Sequence, residues 1–157
     1  MGVATVALAA AASPAAPAGS AACRTAGLVV WLDTEGSGAA GSVYYKLELT
    51  NLSPGACSLF GYPGVSAIDL RGRQVGSAAA RNPMPRRTVT LASGQTATAV
   101  LRIAQVVNYP RAVCRPVTAA GLRVYPPNET ASKLVPFPFR ACSRAGPAFL
   151  AVGPVTR

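Results

Sequence analysis

Four unclustered cysteines, Cys23, Cys57, Cys114 and Cys142, constrain this chain more than any other feature. No two stand as Cys-x-x-Cys, the spacing of a thioredoxin-like redox site or a zinc ribbon. The chain has no histidine, so a metal site would need all four thiolates from distant positions. An even count behind an export signal reads as two disulfides. Three pairings are open. Cys23–Cys57 with Cys114–Cys142 is favoured, because the segment inside each pair reads as a hairpin or short meander. Closing a loop of about 30 residues stabilises a fold by about 3–4 kcal/mol in the chain-entropy model. Two such bonds approach the whole net stability of a domain, about 5–15 kcal/mol.

The export signal is the stretch from Met1 to Ala22, which carries no charge. Its apolar run, Met1 to Ala12, is shorter than the roughly 20 residues that span a bilayer. Small residues and prolines follow, with Ala18, Ser20 and Ala22 at spacings that suit signal-peptide cleavage. The basic residues that normally open such a leader are missing. The competing reading is a disordered Ala/Pro arm. Ser20-Ala21-Ala22-Cys23 also approaches a lipoprotein signal, but no Leu-like residue stands at its first position. Cys23 cannot carry both a thioether lipid and a disulfide. The expectation is a secreted or extracytoplasmic protein with residues 1–22 as leader and residues 23–157 as one domain of ordinary size.

Fifteen Lys and Arg oppose five carboxylates, a formal charge of +10, all of it outside the leader. A surface of this sign attracts polyanions. The basic residues thicken at Arg71, Arg73, Arg81, Arg86 and Arg87, the candidate anion-facing rim, and again at Arg111 and Arg115. The plainer reading is a solubilising surface. Helix-turn-helix, zinc-finger and aromatic RNA-binding patterns are absent, so no specific nucleic acid is expected.

Hydrophobic alternation with a period of two marks strands. In Ser42 to Asn51, Val43, Tyr45, Leu47 and Leu49 point one way, and Tyr44, Lys46, Glu48 and Thr50 the other. Thr96 to Ile103 repeats the design with Ala97, Ala99, Leu101 and Ile103 inward. Leu28 to Asp33, Val65 to Leu70, Arg87 to Leu91, Leu122 to Tyr125 and Phe149 to Val155 read as shorter strands. Trp31 falls on the outer side of the first, where such a residue ordinarily packs under a loop or a second edge. Asn51-Leu-Ser-Pro-Gly55, Gly61-Tyr-Pro-Gly64, Asp69-Leu-Arg-Gly-Arg73 and Ala92-Ser-Gly-Gln95 supply turns. Pro136 and Pro138 exclude a central strand and favour an edge or an extended loop. Val106 to Val113 suits one helical turn broken at Pro110. Seven or more short strands with regular turns indicate a β-sandwich.

Composition removes much chemistry. Without histidine there is no His-based triad or acid/base pair. Asp33, Glu35, Glu48, Asp69 and Glu129 show no glycosidase or calcium spacing. No phosphate loop or nucleophile elbow appears, and no cofactor is implied. An enzyme would have to set Lys46 or Lys133 against a Ser or a carboxylate in a pocket. Asn51-Leu-Ser and Asn128-Glu-Thr match glycosylation sequons, a pattern common by chance.

The pieces also come in a specific order. Cys23-Arg-Thr-Ala leads to Gly41-Ser-Val-Tyr-Tyr-Lys-Leu-Glu-Leu-Thr-Asn51, then Cys57-Ser-Leu-Phe-Gly-Tyr-Pro-Gly-Val65. Val89-Thr-Leu-Ala-Ser-Gly-Gln-Thr-Ala97, Cys114-Arg-Pro, Leu122-Arg-Val-Tyr-Pro-Pro127 and Cys142 follow. This order resembles the actinobacterial secreted and lipoprotein family called domain of unknown function 4232, over roughly Cys23 to Val155. The resemblance implies an immunoglobulin-like sandwich with two disulfides, exported or envelope-anchored, and carries no catalytic residue. The whole reading is an all-β, immunoglobulin-like antiparallel β-sandwich of about seven to nine short strands with two disulfides. It predicts a monomeric, non-catalytic binding or scaffolding module of the cell envelope. Its partner is unspecified: an anionic envelope polymer, a membrane surface or another envelope protein. The alternatives are a purely structural secreted domain or a histidine-independent enzyme.

Overall fold

The computed structural model describes residues 19–157, so most of the expected leader lies outside the described residues. Eleven strands follow in order: β1 Leu28–Ala39, β2 Ser42–Asn51, β3 Cys57–Phe60, β4 Gly64–Ile68, β5 Gln74–Val75 and β6 Ala80–Arg81. Then come β7 Thr88–Leu91, β8 Thr96–Ala104, β9 Pro116–Tyr125, β10 Lys133–Cys142 and β11 Leu150–Val152. One sheet runs β1-β2-β8-β11-β6, a second runs β10-β9-β4-β5, and β3 pairs with β7 alone.

This is an immunoglobulin-like sandwich. β1, β2 and β8 take the places of strands A, B and E of that fold, and β4, β9 and β10 those of C, F and G. Two features depart from the expectation. The described residues form eleven strands rather than seven to nine, because β5 and β6 are two-residue pairings too short to show a period. Between named strands, only the pairing of β11 with β6 is parallel; the isolated bridge of Ala22 to Ser58 is parallel as well, and the remaining strand pairings are antiparallel. Such a contact joins segments far apart in the chain and leaves no local signature.

Alternation decides which side of each strand is buried. Leu47 and Leu49 of β2, and Ala97, Ala99 and Leu101 of β8, are at most 1% exposed. They face Ala67, Leu122 and Val124 of the other sheet within one apolar core. Burying each leucine side chain contributes roughly 1.5–3 kcal/mol. Phe149 closes the core beside Gly76 and Cys142. Trp31 is not covered by a loop or edge: it lies on the solvent face of β1, 43% exposed. Its Nε1 donates to Thr50 Oγ1 at 3.4 Å.

Both disulfides form with the favoured pairing, Cys23–Cys57 and Cys114–Cys142. The helical turn is broken at its proline: a 3-10 turn at Val106–Asn108 precedes Pro110, and α1 spans Arg111–Cys114. β10 is an edge strand despite Pro136 and Pro138, with its register shifting between Pro136 and Phe139. Proline lacks the N–H that an inner strand must donate, so only an edge tolerates it.

Candidate functional site

The Gly61-Tyr-Pro-Gly64 turn shapes a groove of about 320 Å³ on the surface. Gly61 adopts φ +99°, which L side chains rarely reach, and its C=O accepts the Val155 N–H at 2.8 Å. That geometry turns the chain out of β3 so that Phe60 and Tyr62 both border the groove. The Arg81 guanidinium stands 5.5 Å from the Tyr62 ring centroid, and that of Arg86 5.4 Å from the Phe60 ring. Each stacked pair contributes about 0.5–1 kcal/mol at an exposed site. It also orients the guanidinium, whose planar N–H fork suits carboxylate and phosphate.

Tyr62 does a second job. Its Oη donates to the Asn82 C=O at 2.9 Å and accepts the Met84 N–H at 3.2 Å. One phenol thus ties down the exposed segment on which both arginines ride. Across the groove, the Asn128 amide donates to the Phe60 C=O at 3.1 Å, with Asn128 itself at φ +63°. Sequence reasoning placed Tyr62 only in a turn; its phenol role had no local signal, because Met84 lies 22 residues away.

Glu129 also borders the groove, but its charge is committed elsewhere. It accepts the Thr25 N–H and Thr25 Oγ1 at 2.9 Å each, and Arg24 Nη1 lies 3.1 Å away. The Thr25 N–H bond foremost, then its hydroxyl and Arg24, hold the carboxyl below its ordinary value. The Cys23–Cys57 bond underlies the arrangement. It fixes Thr25 two residues from one sulfur and Phe60 three residues from the other.

The five arginines of the expected rim fall in three places. Arg81 and Arg86 meet in the groove, and Arg87 lines a separate slot beside β7. Arg71 and Arg73 sit on the β4–β5 turn. There Asp69 accepts the Arg71 and Arg73 backbone N–H groups at 2.9 Å, and Arg73 Nη2 lies 2.8 Å from Asp69 Oδ2. Asp69 is held below its ordinary value, first by the Arg73 backbone bond. Sequence proximity grouped these residues; the β4–β5 hairpin carries two of them away. Arg81 also borders a second cleft, of about 410 Å³, with Tyr44 and Arg102.

Among the described residues three ion pairs form: Arg24–Glu129, Lys46–Asp33 and Arg73–Asp69. Among the described residues, Arg81, Arg86 and Arg87 have no carboxylate partner within ion-pair distance. Lys46 meets Asp33 at 3.9 Å on an exposed strand face, and Lys133 is half-buried at the start of β10; neither lines the groove. Of the two sequons, Asn51 is fully buried and donates to the C=O groups of Gly55 and Leu91 at 2.9 and 3.0 Å. It is a structural residue that closes the β2–β3 turn, whereas Asn128 is exposed.

The features define a class: a disulfide-stapled immunoglobulin-like sandwich with an uncompensated basic surface. Two disulfides point to an oxidising, extracytoplasmic compartment, and no described helix is long and apolar enough to cross a membrane. The chain belongs to the family described as Domain of unknown function (DUF4232), whose model matches residues 23–156. No curated protein matches it.

Proposed function

We propose that this protein is an exported, non-catalytic module of the cell envelope that binds an anionic group through Arg81 and Arg86. The observation that carries the reading is the stacking of these two guanidiniums on Tyr62 and Phe60, in one groove, with no carboxylate neutralising them. Export rests on the uncharged leader and the two disulfides. The non-catalytic reading rests on a chain without histidine and on two lysines that lie outside the groove.

The test is binding of the oxidised protein to inorganic polyphosphate and to vesicles containing phosphatidylglycerol, across a salt series. Affinity is expected to fall steeply with ionic strength, as exposed charges are screened. It should fall by about tenfold or more in Arg81→Ala/Arg86→Ala. Affinity indifferent to salt, or equal in that variant, removes the electrostatic role of the groove.

A further inference from the structure

In an immunoglobulin-type sandwich the fourth strand ordinarily borders the fifth. Here β7 stands in that fourth place but pairs with β3, and β8 is bordered by β11 and by Thr156 instead. Thr98 and Thr156 exchange both backbone hydrogen bonds, at 2.9 and 2.8 Å. The substitution leaves a slot of about 280 Å³ between β7 and the segment 155–157. Val89 and Val155 are buried along it, while Thr88, Thr90 and Thr156 are exposed. β7 meets a strand on one edge only, among the described residues. A strand edge carries unpaired N–H and C=O groups, a template for another extended chain.

Two long edges of the molecule are guarded. β10 carries Pro136 and Pro138 within its length, and β1 breaks register between Asp33 and Ser37. Thr-Val-Thr-Leu of β7 contains no proline, charge or bulge. The slot's surroundings also have a sign: Arg87 and Arg157 line it, and among the described residues no Asp or Glu side chain does.

We infer that this slot is a second binding site, one that takes an extended acidic segment of a partner protein by strand addition. In an added strand, successive side chains alternate between the two faces. Small apolar residues of the segment fit the slot between β7 and residues 155–157, and its carboxylates meet Arg87 and Arg157. Backbone pairing supplies affinity, and the guanidiniums select the sign of the partner.

The experiment uses a capped hexapeptide of alternating valine and glutamate, titrated into the isotope-labelled oxidised protein and followed by amide NMR. Saturable shifts are expected at Thr88–Leu91 and at 155–157. Affinity should fall about tenfold or more for the same peptide methylated at its backbone nitrogens, and again by a similar factor for Arg87→Glu/Arg157→Glu. Both arginines are exposed, so that variant keeps the wild-type spectrum away from the slot. Arg81→Ala/Arg86→Ala should bind the peptide as well as wild type, which separates this site from the groove. Absence of saturation at millimolar peptide, affinity untouched by N-methylation, or shifts centred on Arg81 and Arg86 each overturn the inference.

Discussion

The sandwich frame and the connection from Asp69 to Arg87 are held together by different forces. In the frame, β2 and β8 pair over nine residues, and Leu47, Leu49, Ala97, Ala99 and Leu101 are sealed in the core. The connection has two strands of two residues each, and most of its side chains are exposed. It is pinned at points: Ala79 N–H to the Val65 C=O at 2.8 Å, Asn82 N–H to the Val152 C=O at 2.9 Å, and the Tyr62 phenol. Yet this weakly held segment carries all five arginines grouped in the sequence, with Arg87 at its end. Stability and cationic surface therefore reside in different stretches of chain. A substitution can alter one with little effect on the other.

Loss of a frame disulfide is the largest effect expected. Cys114 and Cys142 are fully buried and 28 residues apart. Cys114→Ala/Cys142→Ala should cost about 2–5 kcal/mol, read as a drop in the midpoint of chemical unfolding. Binding of polyphosphate to whatever fraction remains folded should be preserved. A variant that keeps its wild-type midpoint would show that the frame does not depend on this staple.

Gly76 sharpens the comparison, because there the connection behaves like the frame. It adopts φ +67°, and a Cβ would run into the Cys142 carbonyl and lie 3.0 Å from the Phe149 ring. Gly76→Ala combines left-handed strain with a backbone clash and should cost about 2 kcal/mol or more. Gly94→Ala is the control. It has φ +81° but open space around the added methyl, so it reports conformational strain alone. Equal losses in the two variants would mean that Gly76 does not pin the connection to the core.

The two regions were also unequally legible in the sequence. Alternation in Ser42–Asn51 and Thr96–Ile103 identified β2, β8 and their buried faces, because a half-buried strand writes its own period. β3 escaped notice: four residues between Pro54-Gly55 and Gly61 are too few to show a period. In β10, Pro136 and Pro138 imply only an edge or an extended loop, and the structure makes it an edge. In the connection, sequence spacing grouped Arg71 and Arg73 with Arg81 and Arg86. Separation by the β4–β5 hairpin, and stacking on Phe60 and Tyr62, are long-range facts with no local trace. The slot beside β7 was equally hidden, since it depends on β7 choosing β3 over β8.

Tyr62→Phe tests how the connection is pinned. It keeps the ring beneath Arg81 but removes the hydroxyl that Asn82 and Met84 share. A typical hydrogen bond contributes about 1 kcal/mol net, so the global midpoint should move little. Amide exchange at Met84 should quicken while that at Leu101, deep in the frame, stays unchanged. Polyphosphate affinity should fall through loosening of Arg81 and Arg86. Uniform acceleration of both amides would mean that the connection and the frame open together, and that the contrast between them is false.

The smallest expected effect compares the two carboxylates held below their ordinary values. Glu129 anchors the frame to the residue pair following Cys23, and Asp69 organises the β4–β5 turn at the start of the connection. A carboxylate with a lowered folded-state pKa contributes stability above its unfolded value, and that contribution is lost as pH falls through the folded one. The window therefore opens near the ordinary values, 4.5 for Glu129 and 3.8 for Asp69, and extends below them. Glu129→Gln should lower the melting temperature at neutral pH and flatten part of the acid-induced decline. Asp69→Asn should flatten a part that begins at lower pH. Local readouts assign each: the Thr25 amide should lose protection in the first variant, and the Arg71 and Arg73 amides in the second. Were both variants to melt along the wild-type pH profile, these carboxylates would carry no linkage. Thr25 and the β4–β5 turn would then be held by backbone and packing alone.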